Sequence, residues 1–255
     1  MAPSTHTTLC ALEPMNRIHE LVEAVQEKYP QDPFFKDFRE SCKSRPERRA
    51  DYRTYDDAFE LLDERSWRVL KGKAVAHFSD CRPGQLKQGF FSQLNEAFAY
   101  RSLVRRGYSN VELLAELGRC TPDIRYVDAG QLKHREVKTL GRSDAEIARG
   151  ASRQSGSNTY FRLTAGWFRK LASTVANARS QVAEQRTPGV VYLVVLFDDG
   201  ALDYYEDYRR QIISFSRSND LGDVYIKVGL RGNRRITFGC TRRHAPMERA
   251  GARRG

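Results

Sequence analysis

Long apolar runs, paired cysteines and an acidic surplus are all missing from this 255-residue chain. No stretch approaches the roughly 20 apolar residues that span a bilayer. The opening Met1 to Pro14 lacks the basic start and apolar stretch of a secretory signal, so neither membrane insertion nor secretion is expected. The five cysteines, Cys10, Cys42, Cys81, Cys120 and Cys240, are odd in number and scattered. There is no Cys-x-x-Cys, and the close Cys/His pairs, His77 with Cys81 and Cys240 with His244, stand far apart in sequence. Free thiols in a reducing compartment are expected, not a disulfide framework or a zinc site. This predicts an intracellular protein, cytoplasmic or nucleoid-associated. No internal repeat or low-complexity block occurs. Positive charge is in surplus: 43 Lys plus Arg against 32 Asp plus Glu give a net charge of +11 and a pI near 9.6. Such a balance favours an anionic partner, nucleic acid or an anionic membrane surface.

The length suffices for a proper core, in one large domain or in a domain with an added module. The first third reads as polar and helical, with Met15 to Tyr29, Phe34 to Cys42 and Tyr55 to Phe78 as candidates. Asp32-Pro33, Arg45-Pro46 and Arg82-Pro83-Gly84 punctuate it, the last marking a boundary. Residues 1–84 are thus expected to be an appended helical region. Gln85 to Arg106 has Leu86, Phe90, Leu94, Ala97 and Phe98 at helical spacing and ends at Gly107. Glu96 lies off that stripe, in a polar line with Gln93 and Tyr100 that Gly89 extends without a side chain. Three strands follow, Tyr108 to Leu114, Pro122 to Asp128 and Leu132 to Leu140. Gly141 to Asn158 reads as a basic loop with Arg142, Arg149 and Arg153, either lying over a phosphate backbone or simply solvated. Leu163 to Arg186 is a helix with Trp167, Leu171, Val175, Ala178 and Val182 on one face. Lys170, Thr174, Asn177, Gln181 and Gln185 follow on a second, polar face. Val190 to Phe197 is nearly all apolar, as in a strand covered on both sides. A helix from Leu202 to Phe215 and a last hairpin, Val224 to Leu230 with Arg235 to Cys240, complete the pattern. The tail, residues 241–255, has five arginines against one glutamate and is expected to be disordered.

The chemistry concentrates in one hairpin. Thr121-Pro122-Asp123-Ile124-Arg125-Tyr126 leads through Asp128-Ala129-Gly130-Gln131 to Arg135-Glu136-Val137-Lys138. A hairpin centred between Ala129 and Gly130 pairs residues whose numbers sum to 259, which sets Asp123 opposite Glu136. Cross-strand partners stand about 5 Å apart at Cβ, and two carboxylates there repel by about 3 kcal/mol at an effective dielectric near 20. A positive group between them is therefore expected. A hard divalent cation suits two carboxylates, a backbone carbonyl and waters, and the period of two places Lys138 on the face of Glu136. The plainer alternative is a surface salt bridge from Asp123 to Arg125 or Lys138. His134 shares the strand face of Glu136 and reads as incidental.

The order helix, three strands, helix, buried strand, with Glu96 on the first helix and Asp123, Glu136 and Lys138 on strands two and three, resembles the PD-(D/E)XK nuclease superfamily. The resemblance covers about Gln85 to Phe197, and Pro122-Asp123 with Glu136-Val137-Lys138 matches its signature literally. It implies an α/β, restriction endonuclease-like core over residues 85–240 and a phosphodiesterase activity. It also implies Mg2+ or Mn2+ held by Asp123, Glu136 and the carbonyl of Val137. Glu96 would reach the metal directly or through water. Ala178-Arg179-Ser180-Gln181 is similar to the segment that carries a further Gln or Lys in many members, with Lys170 as the competing candidate.

The chemistry suits these residue types independently, since a carboxylate-bound metal neutralises phosphoryl charge and acidifies a water. Lys138 can orient or deprotonate that water or offset charge in the transition state. Arg101, Arg105, Arg142, Arg149, Arg153 and Lys170, with the tail, would hold the nucleic-acid backbone, DNA first, with RNA open. One site cuts one strand, so a double-strand cutter needs a homodimer or a second event. The rival expectation is a catalytically silent nuclease-like module that binds nucleic acid or a partner protein.

Overall fold

A computed structural model describes residues 14–81, 87–116, 121–141, 162–197, 204–219, 221, 224–230 and 235–239. Its centre is the expected hairpin. Strand β2 (Ile124–Asp128) pairs antiparallel with β3 (Gln131–Leu140), Ile124 opposite Arg135 and Asp128 opposite Gln131, so every pair sums to 259. The turn is tight because Ala129 and Gly130 both take positive φ, 49° and 81°. That backbone twist matches the flanking strands, and glycine adopts it without strain.

The described strands form one mixed sheet in the order β1 to β6. β1 (Ser109–Leu113), β2 and β3 make an antiparallel meander, and β4 (Gly189–Phe197) runs parallel to β3. β5 (Val224–Leu230) is parallel to β4, and β6 (Arg235–Gly239) is antiparallel to β5. Parallel neighbours require crossovers. Helix α7 (Ala165–Ala183) fills the one from β3 to β4, and α8 (Tyr205–Ser218) the one from β4 to β5. Crossovers of one hand put both helices on one face, where Trp167, Leu171, Val175 and Ala178 pack with Leu140, Val191, Leu193, Val195, Tyr208 and Ile212.

Among the described residues six helices cover the opposite face: α1 (Asn16–Lys28), α2 (Phe38–Ser44), α3 (Pro46–Phe59), α4 (Glu64–Ala76), α5 (Gln88–Leu94) and α6 (Glu96–Val104). Their apolar sides form one cluster with Leu113, Ile124, Tyr126, Val137, Tyr192 and Val194 of the sheet. The N-terminal helices thus share a core with the strands, and their cluster runs from Met15 to Val194. β4 sends Tyr192 and Val194 to one cluster and Val191, Leu193 and Val195 to the other. Its unbroken apolar sequence has that cause.

Two expected helices are broken. Tyr55 to Phe78 divides at residues 60–63, because Pro46 starts α3 and Asp63 caps a new helix, its carboxylate accepting from the Ser66 amide at 2.8 Å. Gln85 to Arg106 divides at Asn95, whose amide is shared between the Phe91 and Ser92 carbonyls at 3.2 Å each. Gly89 allows α5 to lie on the turn after α4: a Cβ there would stand 2.4 Å from Asp80 Cβ and 2.8 Å from the His77 carbonyl. Among the described residues no helix is long and apolar enough to cross a membrane. Cys42 and Cys81 are free thiols, the first buried and the second exposed. Cys10, Cys120, Cys240 and the basic tail lie outside the described residues.

Candidate active site

β3 is longer than β2, and beyond the Ile124–Arg135 pair its edge is taken over by a side chain. Asp123, the residue before β2, accepts the Val137 amide on Oδ2 at 2.7 Å. The ladder stops one pair short of the expected Asp123–Glu136 partnership, and the Asp123 carboxylate caps its end instead. Period two assigns Glu136, Lys138 and Leu140 to the α7 face, and Arg135, Val137 and Thr139 to the face under α6. Asp123 stands at the end of β2, between β1 and β3, where its carbonyl accepts the Leu114 amide at 2.9 Å.

The positive group beside Asp123 is a lysine that its own segment does not reveal. Lys73, on α4, donates to Glu96 Oε1 at 2.6 Å and to Asp123 Oδ1 at 3.2 Å, and lies 3.7 Å from Glu116 Oε1. Its side chain is 6 % exposed. Lys138 pairs with Glu136 Oε1 at 2.6 Å, with its own side chain 32 % exposed. The surface salt bridge considered for Asp123 does not form: Arg125 pairs with Glu112, and Lys138 with Glu136. Three carboxylates thus face two ammonium groups, and both Glu96 Oε2 and Glu136 Oε2 are buried without a hydrogen-bond partner.

Burial raises the Glu96 carboxyl well above the ordinary range, and the Asp123 charge adds to this against the opposing Lys73. Glu136 is raised to about 7 by burial and then by Asp123, with Lys138 and Lys73 opposing. For Lys73, burial works to lower the value, but Glu96 and Asp123 together outweigh it and the net shift is upward. The two directions conflict, since a protonated Glu96 would offer Lys73 less. The 2.6 Å contact decides in favour of a charged Lys73, because a buried ammonium without its carboxylate is the costlier state. Burial and mutual repulsion thus work against full ionisation of the carboxyls, an effect that a further cation would relieve.

Local structure explains how Glu96 reaches this point. The break at Asn95 makes Glu96 the first residue of α6, and the Asn95 amide group donates to Thr139 Oγ1 at 2.9 Å, tying α6 to β3. Arg135, fully buried beside it, donates to the Ala99 carbonyl at 3.1 Å and to Ser102 Oγ at 2.6 Å. α4 is fixed at its start, where Ser66 Oγ accepts the Leu113 amide of β1 at 3.1 Å and Asp63 accepts the Tyr100 hydroxyl at 3.1 Å. On the rim, His77 contacts Asp80 Oδ2 at 2.6 Å and Glu116 Oε2 at 3.4 Å. Its imidazole is raised chiefly by the Asp80 bond.

The remaining expected residues divide. Gln181 is on α7, over the face of Glu136, and its buried Oε1 has no hydrogen-bond partner among the described residues. Lys170 is exposed and lies about 16 Å from Gln181 along the helix axis. Arg101 follows Glu96 by five residues, about 140° round α6, and its guanidinium lies over Phe98 at 5.2 Å. Arg105 is exposed just past the helix end. Neither arginine is drawn to the acids. Arg142, Arg149 and Arg153 lie outside the described residues. His134 meets Thr187 Oγ1 at 2.5 Å and serves the strand end.

Sequence reasoning missed Lys73, Asn95 and Glu116. A signal existed for the first. Ser66, Trp67, Leu70, Lys73 and Ala74 share the buried stripe of α4, and a lysine within an apolar stripe must find buried acid partners. Among the described residues no three acids, histidines or cysteines close on one point as a ready metal cage; Lys73 stands between two of the carboxylates. The donor types still suit a hard cation, since Glu96 Oε2 and Glu136 Oε2 are buried carboxylate oxygens without a hydrogen-bond partner. The chain matches no family model, no curated protein and no solved structure.

Proposed function

We propose that this chain is a metal-dependent nuclease that hydrolyses phosphodiester bonds, in DNA first, on a restriction endonuclease-like core. The observation that carries the reading is Asp123 at the end of β2, joined to Glu96 through Lys73 on one side and close enough to raise the Glu136 carboxyl on the other, with Lys138 on Glu136. Asp123 and Glu136, with the Val137 carbonyl, would hold Mg2+ or Mn2+, which when bound offsets charge on the phosphoryl oxygens and acidifies a water. Glu96 adds a third oxygen donor from the other side of Asp123. Lys138 is open enough to solvent to reach a phosphate oxygen or the attacking water. Gln181 offers a buried carbonyl oxygen on the Glu136 face. The net charge of +11 supports a polyanionic substrate, with Arg101, Arg105, Arg142, Arg149, Arg153 and Lys170 toward its backbone.

Plasmid and oligonucleotide digestion with Mg2+ or Mn2+ tests this. Asp123→Asn is expected to abolish cleavage, and Lys138→Ala to slow it by about 100-fold or more. Cleavage that survives Asp123→Asn removes the proposed site. One observation favours a second reading, a catalytically silent nuclease-like module. Lys73 already bridges Asp123 and Glu96, as a resident cation would in a site that no longer takes metal. Tight DNA or protein binding without cleavage, and without Asp123-dependent metal binding in calorimetry, would select that reading.

A further inference from the structure

Lys73 poses a question that the nuclease chemistry does not answer. It is an ammonium held 2.6 Å from Glu96 Oε1 and 3.2 Å from Asp123 Oδ1, the very oxygens a divalent cation would seek. A dication and an ammonium cannot share those oxygens, because two positive centres about 4 Å apart in a partly buried site repel strongly. Lysine differs from a bound ion in being tethered, and a four-carbon stem can swing. Its alternative partner is already in reach: Glu116 Oε1 is 3.7 Å from Nζ, and the Glu116 side chain is 52 % exposed at the rim. Moving to Glu116 gives the ammonium a carboxylate partner outside the pair it leaves.

We infer that Lys73 is a tethered counter-ion that competes with a divalent cation for Asp123 and Glu96, and that Glu116 takes over its ammonium when the cation enters. The assignment rests on the nuclease reading for the role of Asp123 but makes a claim of its own. Without metal, Lys73 keeps three clustered carboxylates compatible with folding. With metal, Lys73 is a positioning group parked at the rim. Metal affinity is thereby held below what the carboxylates alone would reach, and Glu116, outside the ligand set, tunes it.

Mn2+ binding to the full-length protein, followed by calorimetry and by the electron paramagnetic resonance of free Mn2+, tests the competition without reference to cleavage. Lys73→Met is expected to bind Mn2+ at least about tenfold more tightly than wild type, one unit of charge having left the site. Glu116→Gln, which removes the second acceptor, is expected to bind it at least about threefold more weakly. Unchanged or weakened binding in Lys73→Met overturns the inference. If Lys73→Met does not fold, Glu116→Gln decides alone, and unchanged or tighter binding there overturns it. The two readings fail separately. Wild-type cleavage with no shift in Lys73→Met removes the competition and keeps the nuclease. No wild-type cleavage, with Mn2+ binding gained in Lys73→Met, removes the nuclease and keeps the competition.

Discussion

Beneath α1 to α6 the sheet is covered by aromatic rings and buried charge, whereas beneath α7 and α8 it meets mainly aliphatic side chains. Phe35, Phe38, Tyr52, Phe59, Trp67, Phe78, Phe90 and Phe98 belong to the first cluster, which also encloses Lys73, Glu96 and Arg135. Leu140, Leu171, Val175, Val191, Leu193 and Val195 dominate the second. The acids of the candidate site are drawn from both faces, Glu96 from one and Glu136 from the other, and Asp123 at the end of β2 influences each. The difference teaches how the two lysines divide their work. Lys73, sealed under the helical layer, is a structural charge first. Lys138, a third exposed on the opposite face, pairs with Glu136 within reach of solvent.

The largest stability effect is expected on the aromatic face. Phe78 is fully buried, with Tyr29, Phe35 and Phe90 rings within 5.7 Å and the Lys87 ammonium 3.7 Å above its own ring. Phe78→Ala should lower stability by about 4 kcal/mol in urea denaturation. Leu171→Ala, on the aliphatic face, should cost about 3 kcal/mol. Because the faces are separated by the sheet, the double variant should equal the sum within about 0.5 kcal/mol; a larger coupling would mean that the two clusters act as one.

A smaller effect tests the anchoring of the helix that carries Lys73. Asp63→Ala removes the α4 cap and should cost about 1 kcal/mol at neutral pH. Burial would raise the Asp63 carboxyl, but bonds from the Ser66 amide and hydroxyl and from Tyr100 outweigh it and hold the value below 3.8. A folded value below the unfolded one gives stability that is present above 3.8 and lost as pH falls through the lower value. The gap between wild type and Asp63→Ala should therefore narrow below pH 3.8, read from urea midpoints; a gap independent of pH would remove the carboxylate from the cap. The smallest effect concerns the hairpin that joins the faces. Ala129 sits at φ 49°, a conformation that asparagine tolerates better. Ala129→Asn should raise stability by about 0.5 kcal/mol in thermal or urea unfolding, and a loss would contradict the turn.

Some of this was readable along the chain. The register of β2 and β3 depends on a two-residue turn and on period-two alternation, both local, and so the sum of 259 held at each pair. The buried stripe of α7, Trp167, Leu171, Val175, Ala178 and Val182, follows from helical periodicity in the same way. The helix breaks at residues 60–63 and at Asn95 were not readable, because periodicity continues across them. Asn95 gains its partners, Tyr55 and Thr139, 40 and 44 residues away. Arg101 lies on α6 and Arg105 just past its end, and the helix's direction, not its composition, turns them from the acids.

The sequence by itself determined that two carboxylates and Lys138 would gather at one hairpin, because a short turn and the strand repeat leave few other arrangements. It also implied that a cation must accompany them, since like charges so near each other repel. Only the tertiary structure decided which cation stands there and how the third acid arrives. Lys73 is 50 residues from Asp123 and 23 from Glu96 along the chain, and its place depends on how α4 packs against α5 and β1. That packing is a sum of many weak, non-directional contacts whose outcome no short stretch of residues encodes.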